Sequence, residues 1–186
     1  MVKKPAVQEN QKLIVTAVVE GFMNTDALTL PDIFKNALAE QLAAEKKYLK
    51  MLERISGSLM TDEFKSAISP SETDIESHIS RLSGAMATVK QKSAAKPSVI
   101  DEELLGMLKT HSGKSKSIVN DIRVLHTIKV IFSLKVSRYE SLYRMAAALG
   151  HEEHSMLLEQ CSKDDQNTIA YLNQIEQNVM YPEVQK

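Results

Sequence analysis

Apolar residues recur at intervals of three and four over most of the chain, the spacing that places side chains on one face of an α-helix. The pattern predicts four long amphipathic helices, with one short helix between the second and the third. The long helices are expected over residues 30–57, 61–89, 117–149 and 151–181, and the short helix over residues 98–109. A polar linker over residues 90–97 separates the first pair of long helices from the second pair.

Residues typical of helix ends support these boundaries. Thr29 is a candidate N-cap for the first helix. Ser98 and Asp101 have the spacing of a capping box at the start of the short helix. Pro70 falls inside the second long helix, which therefore either kinks there or breaks and restarts with Ser69 as a new N-cap.

The order and length of these helices predict the fold class. Four long helices with a longer connection between the second and the third are typical of a bundle with a crossover connection, a topology found in ferritin-like proteins. We predict this all-α, ferritin-like four-helix bundle for residues 28–186. Residues 1–27 are predicted as an N-terminal arm or short helix, which either packs across its own bundle or is exchanged with a partner subunit.

Composition agrees with this class and excludes several functions. The chain has only 6 Gly and 5 Pro among 186 residues, too few for the frequent turns of an all-β protein. A formal net charge of -1 gives no argument for nucleic acid or for an anionic membrane surface as a partner. The single cysteine fits a reducing compartment, and no apolar run is long enough to span a membrane. We therefore expect a cytoplasmic protein.

Ionisable residues interrupt the apolar face of every long helix. The set consists of Glu45 on the first helix, Asp74 and His78 on the second, Lys135 on the third, and Asp164 or Asp165 on the fourth. Burying an unpaired charge costs several kcal/mol, so groups on inward faces need partners. We predict that these residues form one buried polar cluster at the centre of the bundle.

Two arrangements would neutralise such a cluster. A divalent metal ion could bind the carboxylates, as in di-iron and di-manganese bundles. Alternatively, the Lys135 ammonium could pair with the carboxylates and make a metal unnecessary. A third interpretation is that individual side chains extend to solvent at the edge of the bundle and form no cluster.

Four short motifs occur in the order and spacing of a known family. They are Ala44-Glu45-Lys46 on the first helix, Asp74-Ile75, His78 and Arg81-Leu82 on the second, Tyr139 followed by Ala146–Gly150 on the third, and Asp164-Asp165 on the fourth. Over roughly residues 28–178 the chain thus resembles the YciE/YciF-type ferritin-like proteins, a bacterial domain family. The resemblance implies a ferritin-like bundle, a stress-associated setting and a homodimer formed by helix packing.

The chain also departs from the family pattern at positions that bear on metal binding. Phe132 and Lys135 stand at two positions of the third helix where the family has Glu. The second and fourth helices carry Asp where the family usually has Glu, and Pro70 has no counterpart. These departures imply that a metal site of the family has been at least partly lost.

These observations lead to one expected function and two alternatives. We expect a non-catalytic ferritin-like protein in which a buried Lys–carboxylate cluster replaces the metal, with no cofactor and no catalytic residue. The first alternative is a protein that stores or oxidises iron or manganese at an altered site holding one metal ion. Its ligands would be Glu45, Asp74, His78, Asp164 and Asp165. The second alternative is an enzyme or binding module of another kind on the same fold.

Overall fold

The computed structural model describes residues 28–92, 95–112 and 116–185, and this part of the chain is helical. The expected N-terminal arm, residues 1–27, lies outside the described residues. The helices are α1 (Leu30–Ser56), α2 (Asp62–Ala67), α3 (Ile75–Thr88), α4 (Val99–Ser112), α5 (Ile118–Ala148), α6 (Glu152–Ile175), a π-helical turn (Glu176–Met180) and α7 (Tyr181–Val184).

The helices α1, α3, α6 and α5 form a four-helix bundle. Each packs against the next in that order, and α5 closes the ring by packing against α1. The helices α1 and α3 form one pair and α5 and α6 the other, and the connection between the pairs carries α4. The predicted bundle with a crossover and a short extra helix is therefore confirmed.

The bundle core consists of two apolar clusters. Phe132 of α5 belongs to one cluster, which includes Leu52 of α1. Tyr139 of α5 belongs to the other, which includes Leu38 of α1. The buried Lys135 lies between Phe132 and Tyr139 along α5, at the junction of the two clusters.

Of the two predicted alternatives for the second long helix, a kink or a break, the structure shows the break, but the restart lies further along the chain than expected. The short helix α2 ends at Ala67, and α3 begins only at Ile75. Pro70 has no N–H to continue a helical ladder, which favours a break at this point. The restart does not use Ser69 as its N-cap. Instead the chain turns through residues 70–74, and Asp74 adopts the left-handed conformation with φ 52°.

A buried aspartate fastens the connecting helix α4 to the bundle. The Asp101 carboxylate accepts hydrogen bonds from the Tyr48 hydroxyl on α1 and from Arg138 Nη1 on α5, the latter at 2.8 and 2.9 Å. It also accepts the backbone N–H of Ser98 at 2.9 Å, which confirms the predicted capping box. Donors from α1 and α5 thus fix the position of the crossover, while Ser98 caps α4 itself.

The boundary between α5 and α6 and the C-terminal segment complete the fold. Gly150 separates α5 from α6 at a φ of 75°, a conformation that favours glycine. The sequence predicted that the last helix ends near Tyr181, but helical structure continues to Val184. The Tyr181 hydroxyl donates to Glu176 Oε1 at 2.8 Å, and Glu176 Oε2 in turn pairs with Lys129 of α5 at 2.7 Å. This ion pair and the buried Met180 hold the segment on the bundle.

Among the helices that the structure describes, none has the length and apolar character that crossing a bilayer requires.

Candidate functional site: a buried lysine–carboxylate cluster

Glu45 is fully buried on the inward face of α1, where Leu38 and Leu52 lie one heptad away on either side. Its Oε1 atom accepts hydrogen bonds from the Tyr139 hydroxyl at 2.7 Å and from Gln41 Nε2 at 3.0 Å. Gln41 precedes Glu45 by one helical turn, so the two side chains are neighbours on the helix surface. These two donors hold the carboxylate and leave Oε2 facing the centre of the bundle.

Lys135 occupies that centre. Its Nζ atom lies 3.2 Å from Glu45 Oε2 and 3.0 Å from Asp165 Oδ1, and only 1% of its side chain is exposed. The Phe132 ring packs against the ammonium with its centroid 4.5 Å from Nζ. Burial alone would lower the pKa of Lys135, but the adjacent Asp165 and Glu45 outweigh burial and raise the pKa above its ordinary value. Lys135 is therefore a buried cation held between two carboxylates.

Asp165 is the second buried carboxylate and comes from α6. Its Oδ1 atom is paired with Lys135 Nζ at 3.0 Å, and within the described part of the chain its Oδ2 atom has no hydrogen-bond partner. Burial raises the pKa of Asp165 well above its ordinary value, and nearby Glu45 raises it further, while Lys135 offsets only part of the rise. Glu45 is thus held by two hydrogen bonds, whereas Asp165 is a buried carboxyl group with a raised pKa.

His78 completes the cluster from α3 and is fully buried. Its Nδ1 atom lies 4.0 Å from Glu45 Oε1 and 3.8 Å from Asp165 Oδ1, too far for hydrogen bonds. Burial, together with the positive charge of Lys135, lowers the pKa of His78 to about 3. The imidazole is therefore neutral near pH 7, and its ring packs edge-on against Tyr139 with a centroid separation of 5.3 Å.

The neighbouring Asp164 faces the opposite side of the histidine. Its Oδ2 atom lies 3.4 Å from His78 Nε2 and accepts a hydrogen bond from Arg81 Nη1 at 2.8 Å. Gln160 Nε2 donates to Oδ1 at 2.7 Å. Burial raises the pKa of Asp164, but hydrogen bonds from Arg81 and Gln160 outweigh burial and lower it. Asp164 is thus a partly exposed partner of Arg81, and His78 separates it from the Lys135 ammonium.

Asp74 lies outside the cluster, contrary to the expectation from sequence. Its side chain is exposed, and the residue is the N-cap of α3 in a left-handed conformation. The expectation assumed a continuous helix, in which residues four apart share a face. Because the helix begins only at Ile75, that geometry does not apply to Asp74 and His78.

Two members of the site were not expected from sequence. Gln41 and Tyr139 supply the hydrogen bonds that orient Glu45. Their spacing in the sequence could have indicated that they lie beside the cluster, because Gln41 lies one turn before Glu45 and Tyr139 one turn after Lys135.

The donor set does not fit the two-metal site of a di-iron or di-manganese bundle. Such a site uses about four carboxylates with two histidines. Within the described chain, the group with metal-ligand spacing consists of Glu45, His78 and Asp165, whose ligand atoms lie within 4.8 Å of one another. The Lys135 ammonium lies against both carboxylates of this group and would repel a divalent cation.

The fold and the cluster together define a class: a four-helix bundle whose four long helices converge on a buried ionic cluster centred on lysine. A family model described as "Domain of unknown function (DUF892)" matches residues 29–184, and the chain belongs to this family. The resemblance to YciE/YciF-type proteins is thereby confirmed, since the structural comparison finds a protein of that type. A comparison with curated proteins finds no match.

Two solved structures share the fold. The stress protein YciF of E. coli superposes with a TM-score of 0.75 at 18% identity, over 85% of this chain and 98% of that protein. YcfI from Rhodopseudomonas palustris superposes with a TM-score of 0.72 at 18% identity, over 80% of this chain and 95% of the other. At 18% identity, the similarity to these two structures shows a shared arrangement of helices and nothing further.

Proposed function

We propose that this protein is a non-catalytic, ferritin-like bundle in which Lys135 has taken over the electrostatic role of a metal ion. The observation that carries the proposal is the position of Nζ, which lies 3.2 Å from Glu45 and 3.0 Å from Asp165 in a fully buried site. A metal ion in a carboxylate bundle neutralises negative charge that would otherwise be costly to bury. A lysine between the two carboxylates neutralises their negative charge without a bound ion.

The charges around Lys135 support this proposal. The ammonium balances one carboxylate, and the raised pKa of Asp165 allows the second carboxylate to be neutralised by a proton. His78 remains neutral, because burial and Lys135 lower its pKa to about 3. The interior can therefore reach a net charge of zero with the residues of this chain alone.

The surroundings of the cluster give no support to catalysis. Its central residues Glu45, His78, Lys135 and Asp165 are 0–1% exposed. Two open grooves of about 770 and 430 Å³ on the described surface are lined by other residues. Burial raises the pKa of the Cys161 thiol to about 12, so this residue is a poor nucleophile near neutral pH.

The proposal includes a biological setting and an oligomeric state. The structural relative YciF is a stress protein, which supports a stress-associated role for this chain. We propose a cytoplasmic location and a homodimer formed by helix packing, as the family resemblance implies. Sedimentation equilibrium at micromolar concentration tests the dimer, and a monomer mass would contradict it.

A second candidate function is a protein with one iron or manganese ion at an altered site. It is favoured by the buried atoms His78 Nδ1 and Asp165 Oδ2, which have no partner among the described residues, and by Glu45 Oε2 and Asp165 Oδ1, which are paired only with Lys135 there. In this case Lys135 would have to lose its proton and move away from the carboxylates. The ligands would be Glu45, His78 and Asp165, because Asp164 is already bonded to Arg81.

Metal content separates the two candidates. Untagged wild-type protein is incubated with iron, manganese or zinc, desalted, and analysed by mass spectrometry alongside the variants Lys135→Glu and Lys129→Glu. Lys129 is a matched control, because it lies on the same helix in a partly exposed ion pair with Glu176. We expect an empty wild type, metal bound by Lys135→Glu, and none bound by Lys129→Glu.

The opposite pattern would refute the proposal. A wild type that retains stoichiometric metal, and loses it on Glu45→Gln substitution, would establish the metal-binding candidate. If Lys135→Glu folds only when metal is present, the metal-dependent circular dichroism signal is itself the readout, because binding energy then becomes folding energy.

A further inference from the structure

An open groove of about 430 Å³ between α1 and α4 carries an excess of positive charge. Its rim consists of the cations Lys47, Lys50, Arg54 and Lys109 and one carboxylate, Glu102, which pairs with Lys47. Lys50 and Arg54 are exposed and have no ionic or hydrogen-bond partner among the described residues. The groove is therefore basic, although the whole chain has a formal net charge of -1.

The floor of this basic groove is apolar. It is formed by the half-buried Met51 of α1 and by Leu105 and Gly106 of α4. A Cβ at Gly106 would meet nothing within 4 Å, so the floor is open above this residue. The cations of α1 are three and four residues apart and follow the groove over about 10 Å. A row of cations beside an apolar floor is suited to a helix that presents both acidic and apolar side chains.

The start of α6 presents such a surface. Glu152, Glu153, Met156 and Leu157 are exposed there, with Met156 65% and Leu157 36% accessible. Residues four apart lie on the same side of a helix, so the glutamates adjoin the two apolar side chains. Neither glutamate has an ionic or hydrogen-bond side-chain partner among the described residues. We call these four residues the acidic α6 face.

The groove and the acidic α6 face lie too far apart to meet within one copy of the chain. In the ring of long helices, α1 and α6 are diagonally opposite. Leu105 of the groove belongs to the core cluster that contains Leu52. Leu158, which follows the acidic α6 face, belongs to the cluster that contains Leu38. The two surfaces thus lie on opposite sides of the bundle and towards opposite ends.

We propose that the basic groove of one copy binds the acidic α6 face of a second copy. The charges are complementary, and the contact would cover Met156 and Leu157 with the apolar floor of the groove. Each such contact leaves one groove and one acidic face free, so copies associate head to tail. This contact is additional to the homodimer proposed above, which is closed and recruits no further copies.

The structure also indicates how strong the contact is. One groove and the first turns of one helix bury much less than the roughly 1,600 Å² of a standard interface, so the association is weak and reversible. Its charged groups are exposed, and salt therefore screens them. The screening length falls from about 30 Å at 0.01 M salt to about 3 Å at 1 M salt.

The test is the weight-average mass of the full-length protein, measured by sedimentation as concentration increases. In about 0.01 M salt the wild type should reach at least about twice the mass of its smallest unit, and about 1 M salt should reverse this. The groove variant Lys50→Glu/Arg54→Glu and the face variant Glu152→Lys/Glu153→Lys should each keep the mass of the smallest unit. A homodimer formed by other surfaces would persist in both variants.

Mixing the two variants gives the sharpest result. The groove variant has two acidic surfaces and the face variant has two basic surfaces, so each repels its own copies. In a mixture every groove meets a face of opposite charge, and the higher mass should return. A single chain with all four substitutions should also associate, and it retains the net charge of the wild type.

Three results would overturn the proposal. The first is a wild type whose mass does not rise with concentration, which would leave the groove to a different protein. The second is a mixture no heavier than its components. The third is a loss of association in the groove variant alone, which would assign the groove to another segment, such as residues 1–27. If lysines at the start of α6 impair folding, the uncharged pair Glu152→Gln/Glu153→Gln should still weaken association.

Discussion

Replacing Lys135 with Met tests the role of the buried ammonium, because the variant keeps an unbranched apolar stem but loses the charge. Glu45 and Asp165 then lose the cation that lies 3.2 and 3.0 Å away. At an effective dielectric constant of about 20, each contact has a Coulomb energy of about 5 kcal/mol. The carboxylates will respond by taking up protons, because protonation of an ordinary aspartate at pH 7 costs only about 4 kcal/mol.

We expect the Lys135→Met substitution to lower the free energy of unfolding by about 3–5 kcal/mol at pH 7, the usual cost of breaking a buried ion pair. For a chain of this length that corresponds to a fall in Tm of roughly 10 °C. At pH 5 the loss should shrink by up to about 2.7 kcal/mol through protonation of Asp165, since each pH unit contributes at most about 1.36 kcal/mol.

The direction of this pH dependence follows from linkage. In the folded variant, the pKa of Asp165 would lie further above that of the unfolded chain than in the wild type, because Lys135 no longer opposes the effect of burial. A carboxyl with a raised folded pKa contributes stability below its unfolded pKa and loses it as pH rises through the folded pKa. The variant should therefore be relatively more stable in mild acid.

The assay is urea unfolding followed by circular dichroism at pH 7 and pH 5. Lys129→Met is the matched control, because Lys129 is 25% exposed and its ion pair should contribute no more than about 1 kcal/mol. The triple variant Lys135→Met, Glu45→Gln, Asp165→Asn should recover much of the loss, since it removes the unpaired charges. Equal stabilities of wild type and Lys135→Met at pH 7 would refute the reasoning.

Three further predictions concern other parts of the bundle. Asp101→Ala should lower the free energy of unfolding by about 3 kcal/mol and accelerate amide exchange in α4, because it strips a buried partner from Arg138; unchanged exchange would contradict this. His78 has a folded pKa of about 3, so it stabilises the fold above its unfolded pKa and loses this contribution as pH falls. Between pH 7 and pH 4.5, the free energy of unfolding measured with urea should fall by about 2–3 kcal/mol more in the wild type than in His78→Gln. Gly150→Ala should lower the unfolding free energy by about 1–2 kcal/mol because its φ is 75°, whereas Gly84→Ala, where a Cβ meets nothing within 4 Å, should raise it by up to about 1 kcal/mol.

The arrangement of the long helices could be predicted because their signals are local. The N-cap at Thr29, the capping box at Ser98 and Asp101, and Gly150 all occur at the ends of elements that the structure contains. The break after Ala67 was harder to place, because Pro70 is compatible both with a kink and with a restart. Its position depends partly on the buried Thr73, whose hydroxyl donates to the Ser69 carbonyl at 3.0 Å.

The site could be predicted only where helices are continuous. Glu45 and Lys135 lie within uninterrupted helices, so their register with apolar neighbours placed them correctly on inward faces. Asp74 was placed wrongly because its register was extended across the break before Ile75. The choice between Asp164 and Asp165 depends on helix rotation and on Arg81, which binds Asp164 from a neighbouring helix; sequence spacing does not encode this contact.

A crystal structure of the wild-type protein, grown with manganese and recorded at an anomalous wavelength, tests the central claim most directly. We expect density for Lys135 Nζ between Glu45 and Asp165, with no anomalous peak at the cluster. An anomalous peak bound to Glu45, His78 and Asp165, with Lys135 turned away, would contradict it.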